Sequence, residues 1–127
     1  MFRIFAVSGA LLLSACSQEA TLADRQNADY GRAIAQSECE AIARKNILPR
    51  LKDPESARLT YGECRKSVMH SIPIAGLPKQ AGYRISTRVN AKNSFGGYTG
   101  AQSWVVLIKN GKTIRRTYPH QGAQIPY

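Results

Sequence analysis

The chain has 127 residues, 43% of them hydrophobic and 20% charged, with 18 Lys and Arg against 8 Asp and Glu, a net charge of +10. That apolar content excludes a chain too polar to fold, and the length accommodates one small domain. All eight acids (Glu19, Asp24, Asp29, Glu38, Glu40, Asp53, Glu55, Glu63) precede residue 64, so the second half has no carboxylate for acid–base or glycosidase-type chemistry.

The charge is divided along the chain. From Cys16 to Glu63, seven basic residues meet eight acids, for a net −1; from Cys64 to Tyr127 there are ten basic residues and no acid. The C-terminal half therefore presents positive potential, which attracts anionic polymers or an acidic protein face.

At the N-terminus, Met1-Phe2-Arg3 is a minimal basic start and Ile4 to Leu13 an apolar run. Ten residues rise only ~15 Å as a helix, about half of a ~30 Å hydrocarbon core. That is too short to span a membrane and matches a secretory signal. The stretch Leu13-Ser14-Ala15-Cys16 resembles the lipobox of bacterial lipoprotein signal peptides. The resemblance covers residues 1–17. It implies that 1–15 are removed and that Cys16 becomes the acylated first residue, with palmitate among its chains. Such lipoproteins with Asp after the lipidated Cys stay in the inner membrane. Ser17 instead implies lipid anchoring at the periplasmic face of the outer membrane in a Gram-negative host. Each buried CH₂ adds ~0.8 kcal/mol to such an anchor.

Removal of 1–15 leaves 112 residues, a modest core that gains from a covalent staple. Cys39 and Cys64 are an even pair in an oxidising compartment and read as a disulfide. The alternatives are two buried thiols, or a metal site shared with His70, for which no tight ligand pair exists.

Residues 16–28 read as a tether with some helical character, and 29–127 as a single domain. Ala35, Cys39, Ile42, Ala43 and Ile47 recur at helical spacing, which predicts a helix from Asp29, as its N-cap, to Leu48, stopped by Pro49. Asp53-Pro54 is turn chemistry, with Asp53 able to cap and Pro54 suited to a first helical position. Arg58 to Val68 reads as extended, with Gly62 marking a bulge; Ser71 to Gly82 reads as a loop. Tyr83, Ile85, Thr87, Val89 and Ala91 alternate with Arg84, Ser86, Arg88, Asn90 and Lys92, a strand with one basic face. Asn93 to Gly100 is a glycine-rich loop carrying Phe95 and Tyr98. Ser103 to Lys109 is an apolar central strand. Asn110-Gly111 predicts a two-residue type I′ hairpin placing Ile108 opposite Thr113 and Leu107 opposite Ile114, with Arg115 and Arg116 on opposite faces and one of them on the basic surface. The tail from Pro119 is irregular. The expected fold is α+β: one main N-terminal helix on an antiparallel sheet of three or four strands.

Leu51-Lys52-Asp53-Pro54-Glu55-Ser56-Ala57 together with Val89 to Gly100 resembles a poorly characterised helix-plus-sheet module of small exported bacterial and phage-borne proteins. The resemblance spans roughly residues 36–109 and carries no catalytic residues. Nothing resembles a nucleophile elbow, His70 and His120 have no acid after Glu63 in sequence, and Gly96-Gly97 lies between strands rather than before a phosphate-binding helix. The expectation is a non-catalytic, lipid-anchored envelope protein without cofactor or metal. Its basic half would bind an anionic envelope component or an acidic partner protein through Arg84, Arg88, Lys92, Asn93, Phe95, Tyr98, Arg115 and Arg116; an envelope location excludes nucleic acid. Two alternatives stand beside it: a phage- or plasmid-type exclusion or secretion-accessory lipoprotein, and an enzyme acting on the cell wall.

Overall fold

A computed structural model describes residues 19–98 and 100–119; the stretch 13–16 expected to be a lipobox, and His120, lie outside the described residues. A short helix, α1 (Leu22–Gln26), precedes the main helix, α2 (Gln36–Ile47). Five strands follow: β1 (Arg58–Tyr61), β2 (Arg65–Met69), β3 (Gln80–Asn90), β4 (Gln102–Lys109) and β5 (Lys112–Thr117). All pair antiparallel in one sheet, and β3 pairs β1 and β2 along the same edge. The fold is thus α+β, with two corrections. The sheet has five strands rather than three or four, and the main helix is not the N-terminal element.

The main helix starts at Gln36, not at Asp29. The Asp29 carboxylate instead accepts the Gly31 N–H at 2.9 Å, and Gly31 turns at φ +77°. The Arg32 N–H then donates to Asn110 Oδ1 of the β4–β5 turn at 2.9 Å. These contacts hold 29–32 against the hairpin and override a weak local helical preference. Ala35 becomes an exposed N-cap without a side-chain bond. The C-terminal end is as expected: α2 stops at Ile47 and Pro49 lies in a following 3-10 turn. Asp53 caps with its carbonyl rather than its carboxylate, accepting from Ser56 N and Oγ.

Helix α2 buries Cys39, Ala43 and Ile47 on Ile85, Val89, Trp104, Val106 and Ile108 of the two central strands. Burying one such aliphatic side chain contributes ~1.5–3 kcal/mol, so this single layer supplies most of the apolar stabilisation. The Trp104 ring meets Tyr118 edge-on at 4.8 Å.

β1 and β2 are one edge strand broken by a bulge. Tyr61 faces Thr87 and Arg65 faces Arg84, so three residues (62–64) oppose two (85–86). A regular strand would send Tyr61 and Cys64 to opposite faces. The extra residue brings both to the helix side, where Cys64 bonds Cys39 across a Cα separation of 6.2 Å. Gln36 secures the irregular backbone: its amide donates to Gly62 O at 2.9 Å and accepts from Cys64 N at 2.8 Å.

The hairpin turn is of the expected kind, with φ positive at both Asn110 (51°) and Gly111 (76°). Ile108 faces Thr113, but a shift between Leu107 and Ile108 places Arg115, not Ile114, opposite Leu107. Among the described residues, no helix is long and apolar enough to cross a membrane.

Candidate anion-binding face

Alternation along β3 and β4 decides which side chains meet the helix. Tyr83, Ile85, Thr87 and Val89 point to it; Arg84, Ser86, Arg88 and Asn90 point away. Register carries that away-facing set across the sheet. Arg65 and Thr60 flank Arg84 and Arg88 on the edge, and Arg58 faces Asn90. On the other side, Leu107 faces Arg84, Val105 faces Ser86 and Ser103 faces Arg88. Arg58, Arg65, Arg84 and Arg88 are all exposed. This second face has α2 on its far side, and the four exposed cations that β1, β2 and β3 set on it are arginines.

One end of that face is covered. Leu107 is fully buried although it points away from α2, and Arg115 beside it is 6% exposed. The Arg115 guanidinium donates to His70 O at 2.6 Å, which draws the segment after β2 across this end. Arg115 is therefore withdrawn into the fold. Arg116 lies on the helix side, 3.4 Å from Asn46 Oδ1.

The other end carries the loop after β3. Tyr98 donates its hydroxyl to Ser56 O at 3.1 Å, and the Lys92 N–H donates to Ser56 Oγ at 2.9 Å. The Arg58 guanidinium stacks 4.2 Å from the Tyr98 ring centroid, with Lys92 Nζ at 5.8 Å. Asn93 serves its own turn: its Oδ1 accepts from Phe95 N and Gly97 N. That turn holds Phe95 out at 96% exposure. Of the eight residues expected to bind, Arg84, Arg88, Lys92 and Tyr98 thus lie on or beside the open face. Phe95 projects from the loop beyond it, Asn93 is engaged internally, and Arg115 and Arg116 are elsewhere.

Arg58 and Arg65 were not singled out from the sequence. Alternation in Arg58-Leu59-Thr60-Tyr61 carries the signal for Arg58, whereas the bulge hides it for Arg65.

Three of the acids neutralise other cations. Glu38 pairs Arg32 at 2.6 Å, Asp24 pairs Lys79 at 2.8 Å and Asp29 pairs Lys109 at 3.4 Å. These contacts hold the three carboxyls below the ordinary carboxylate range: the Arg32 hydrogen bond does so for Glu38, the Lys79 bond first for Asp24, and the Gly31 N–H, then Lys109, for Asp29. Among the described residues, none of the ion pairs involves Arg58, Arg65, Arg84 or Arg88, and no group of three His, Cys, Asp or Glu gathers to hold a metal. Arg65 and Arg84 are directly opposed across β2–β3, an arrangement that costs stability in a sheet unless a counter-charge is supplied. No protein family, curated protein or solved structure matches the chain, so the arginine face is read from its own geometry.

Proposed function

We propose that the chain is a lipid-anchored, non-catalytic envelope protein whose open arginine face binds an anionic envelope component or an acidic partner protein. The observation that carries this reading is the alignment of Arg58, Arg65, Arg84 and Arg88 on one exposed sheet face, none of them in an ion pair among the described residues. Local conflicts of this kind are retained where function requires them. Arginine suits the role because its planar fork makes paired hydrogen bonds to carboxylate or phosphate and its charge persists at any physiological pH. The lipobox supports the anchored half of the proposal, with Cys16 as the attachment point, Ser17 favouring the outer membrane and its periplasmic face.

The test is binding of the full chain to anionic envelope polymers over a range of salt, repeated with Arg84→Glu plus Arg88→Glu. Affinity falls with salt and collapses in the double variant; affinity indifferent to both ends the binding proposal. Intact mass from a membrane fraction checks the anchor. Residues 16–127 plus acyl groups is the expected species, and an unprocessed chain refutes lipidation.

A further inference from the structure

We infer that the Arg65–Arg84 pair is a site for a phosphate monoester in its dianionic form, which deepens the preceding reading and rests on it. Three observations converge. Arg65 and Arg84 are register partners on the open face, about 5 Å apart at Cα. Both are exposed and neither has a counter-ion among the described residues. The next residue in the same row, Leu107, is fully buried, and beyond it Arg115 is spent on His70 O.

The charge of the ligand follows from the charge of the site. Two opposed guanidiniums are neutralised by one dianion, whereas a carboxylate or a phosphodiester offsets only one of them. Two forks converging from adjacent strands also supply more donors than a carboxylate has oxygens to fill, and a phosphomonoester has three terminal oxygens for them. The covered Leu107 row gives the pair an apolar flank, which reduces screening on that side. Arg88 is four residues from Arg84 along β3, about 13 Å away, so it engages a second group rather than the same phosphate. Between them on β3 lies Ser86, whose hydroxyl is 2.9 Å from that of Ser103 beside Arg88, with Thr60 on the other side of Arg88. That polar strip fits a sugar-borne monoester as well as free phosphate.

The experiment is NMR of ¹⁵N-arginine side chains in the full chain, held in non-ionic detergent at constant ionic strength. The probes are methyl phosphate, dimethyl phosphate, acetate, inorganic phosphate and glucose 1-phosphate. The Nε–H signals of Arg65 and Arg84 move together and saturate with methyl phosphate, about tenfold more tightly than with dimethyl phosphate or acetate, equivalent to ~1.4 kcal/mol. Affinity for methyl phosphate rises as pH passes the second phosphate pKa of about 6, while the response to dimethyl phosphate stays flat. Arg65→Gln, which relieves a like-charge contact and so folds, removes the monoester preference at Arg84. Tighter binding of glucose 1-phosphate than of inorganic phosphate assigns the ligand to a saccharide; equal binding assigns it to the free ion. Equal affinity for monoester and diester, or an unchanged Arg84 response in Arg65→Gln, overturns the inference and leaves the broader anion-binding face intact. No response to any anion overturns both.

Discussion

Arg65→Glu converts the opposed pair into an ion pair without touching the core. Across an antiparallel sheet, like charges in register destabilise and opposite charges stabilise, each by roughly 0.2–1 kcal/mol. Arg65 and Arg84 are both exposed, and solvent screening keeps the combined swing well below its upper limit, so the variant gains about 1 kcal/mol. In a domain of this size that gain raises Tm by about 5 °C. Urea and thermal unfolding of the oxidised chain read it at about 0.01 M and about 1 M salt, where the screening length falls from ~30 Å to ~3 Å. The gain is full at low salt and mostly absent at high salt, and Arg65→Gln recovers about half of it. The same Arg65→Glu protein loses its affinity for phosphomonoesters, so stability and binding move in opposite directions. An Arg65→Glu chain that is less stable than the parent, or a gain that ignores salt, refutes the argument that these side chains confront each other unpaired.

Three further outcomes are expected. Reducing Cys39–Cys64, which closes a 25-residue separation, lowers stability by about 3–3.5 kcal/mol on the chain-entropy account; a shift in the urea midpoint worth less than about 1 kcal/mol contradicts that account. Thr87→Val adds about 1 kcal/mol, because Thr87 is fully buried with no partner for its hydroxyl among the described residues; a lower Tm means that the hydroxyl is bonded. The Asp24 carboxyl is lowered to about 2, chiefly by the Lys79 hydrogen bond. A depressed folded-state value contributes its stabilisation in full above the ordinary carboxylate range and loses it as pH falls through about 2. Hydrogen exchange of the α1 amides is therefore unchanged from neutral pH to about pH 5, after correction for intrinsic rates, and Asp24→Asn accelerates it throughout; equal exchange in the variant removes the role of the contact.

The parts of the fold legible in the sequence were those set by local chemistry. Asn110-Gly111 demands positive φ at both positions, and Pro49 cannot continue a helix, so the turn and the helix stop are where they were expected. Cys39 on the apolar helical stripe pointed inward and is bonded to Cys64. What was not legible came from contacts distant in sequence. The helix start moved because 29–32 bind the hairpin turn 78 residues further on. Arg115 left the surface because the His70 carbonyl needed a donor, which no periodicity announces. The loop after β3 drew attention for its glycines and aromatics, yet Asn93 is occupied in shaping it, and the cations ahead of it form the more coherent surface.

The bulge at 62–64 has a consequence for parity. Arg58 and Arg65 are an odd number of positions apart, so an unbroken strand would point one of them into the α2 interface. The supernumerary residue that lets Cys64 reach Cys39 is the same one that lets Arg65 join Arg58 and Arg84. Oxidative stapling and the basic face therefore share a single frame-setting position. Deleting one residue from Gly62-Glu63 would leave two residues opposite Ile85-Ser86, a regular ladder in which Cys64 still faces α2 and Arg65 still opposes Arg84, whereas straightening the strand at its present length would turn both over.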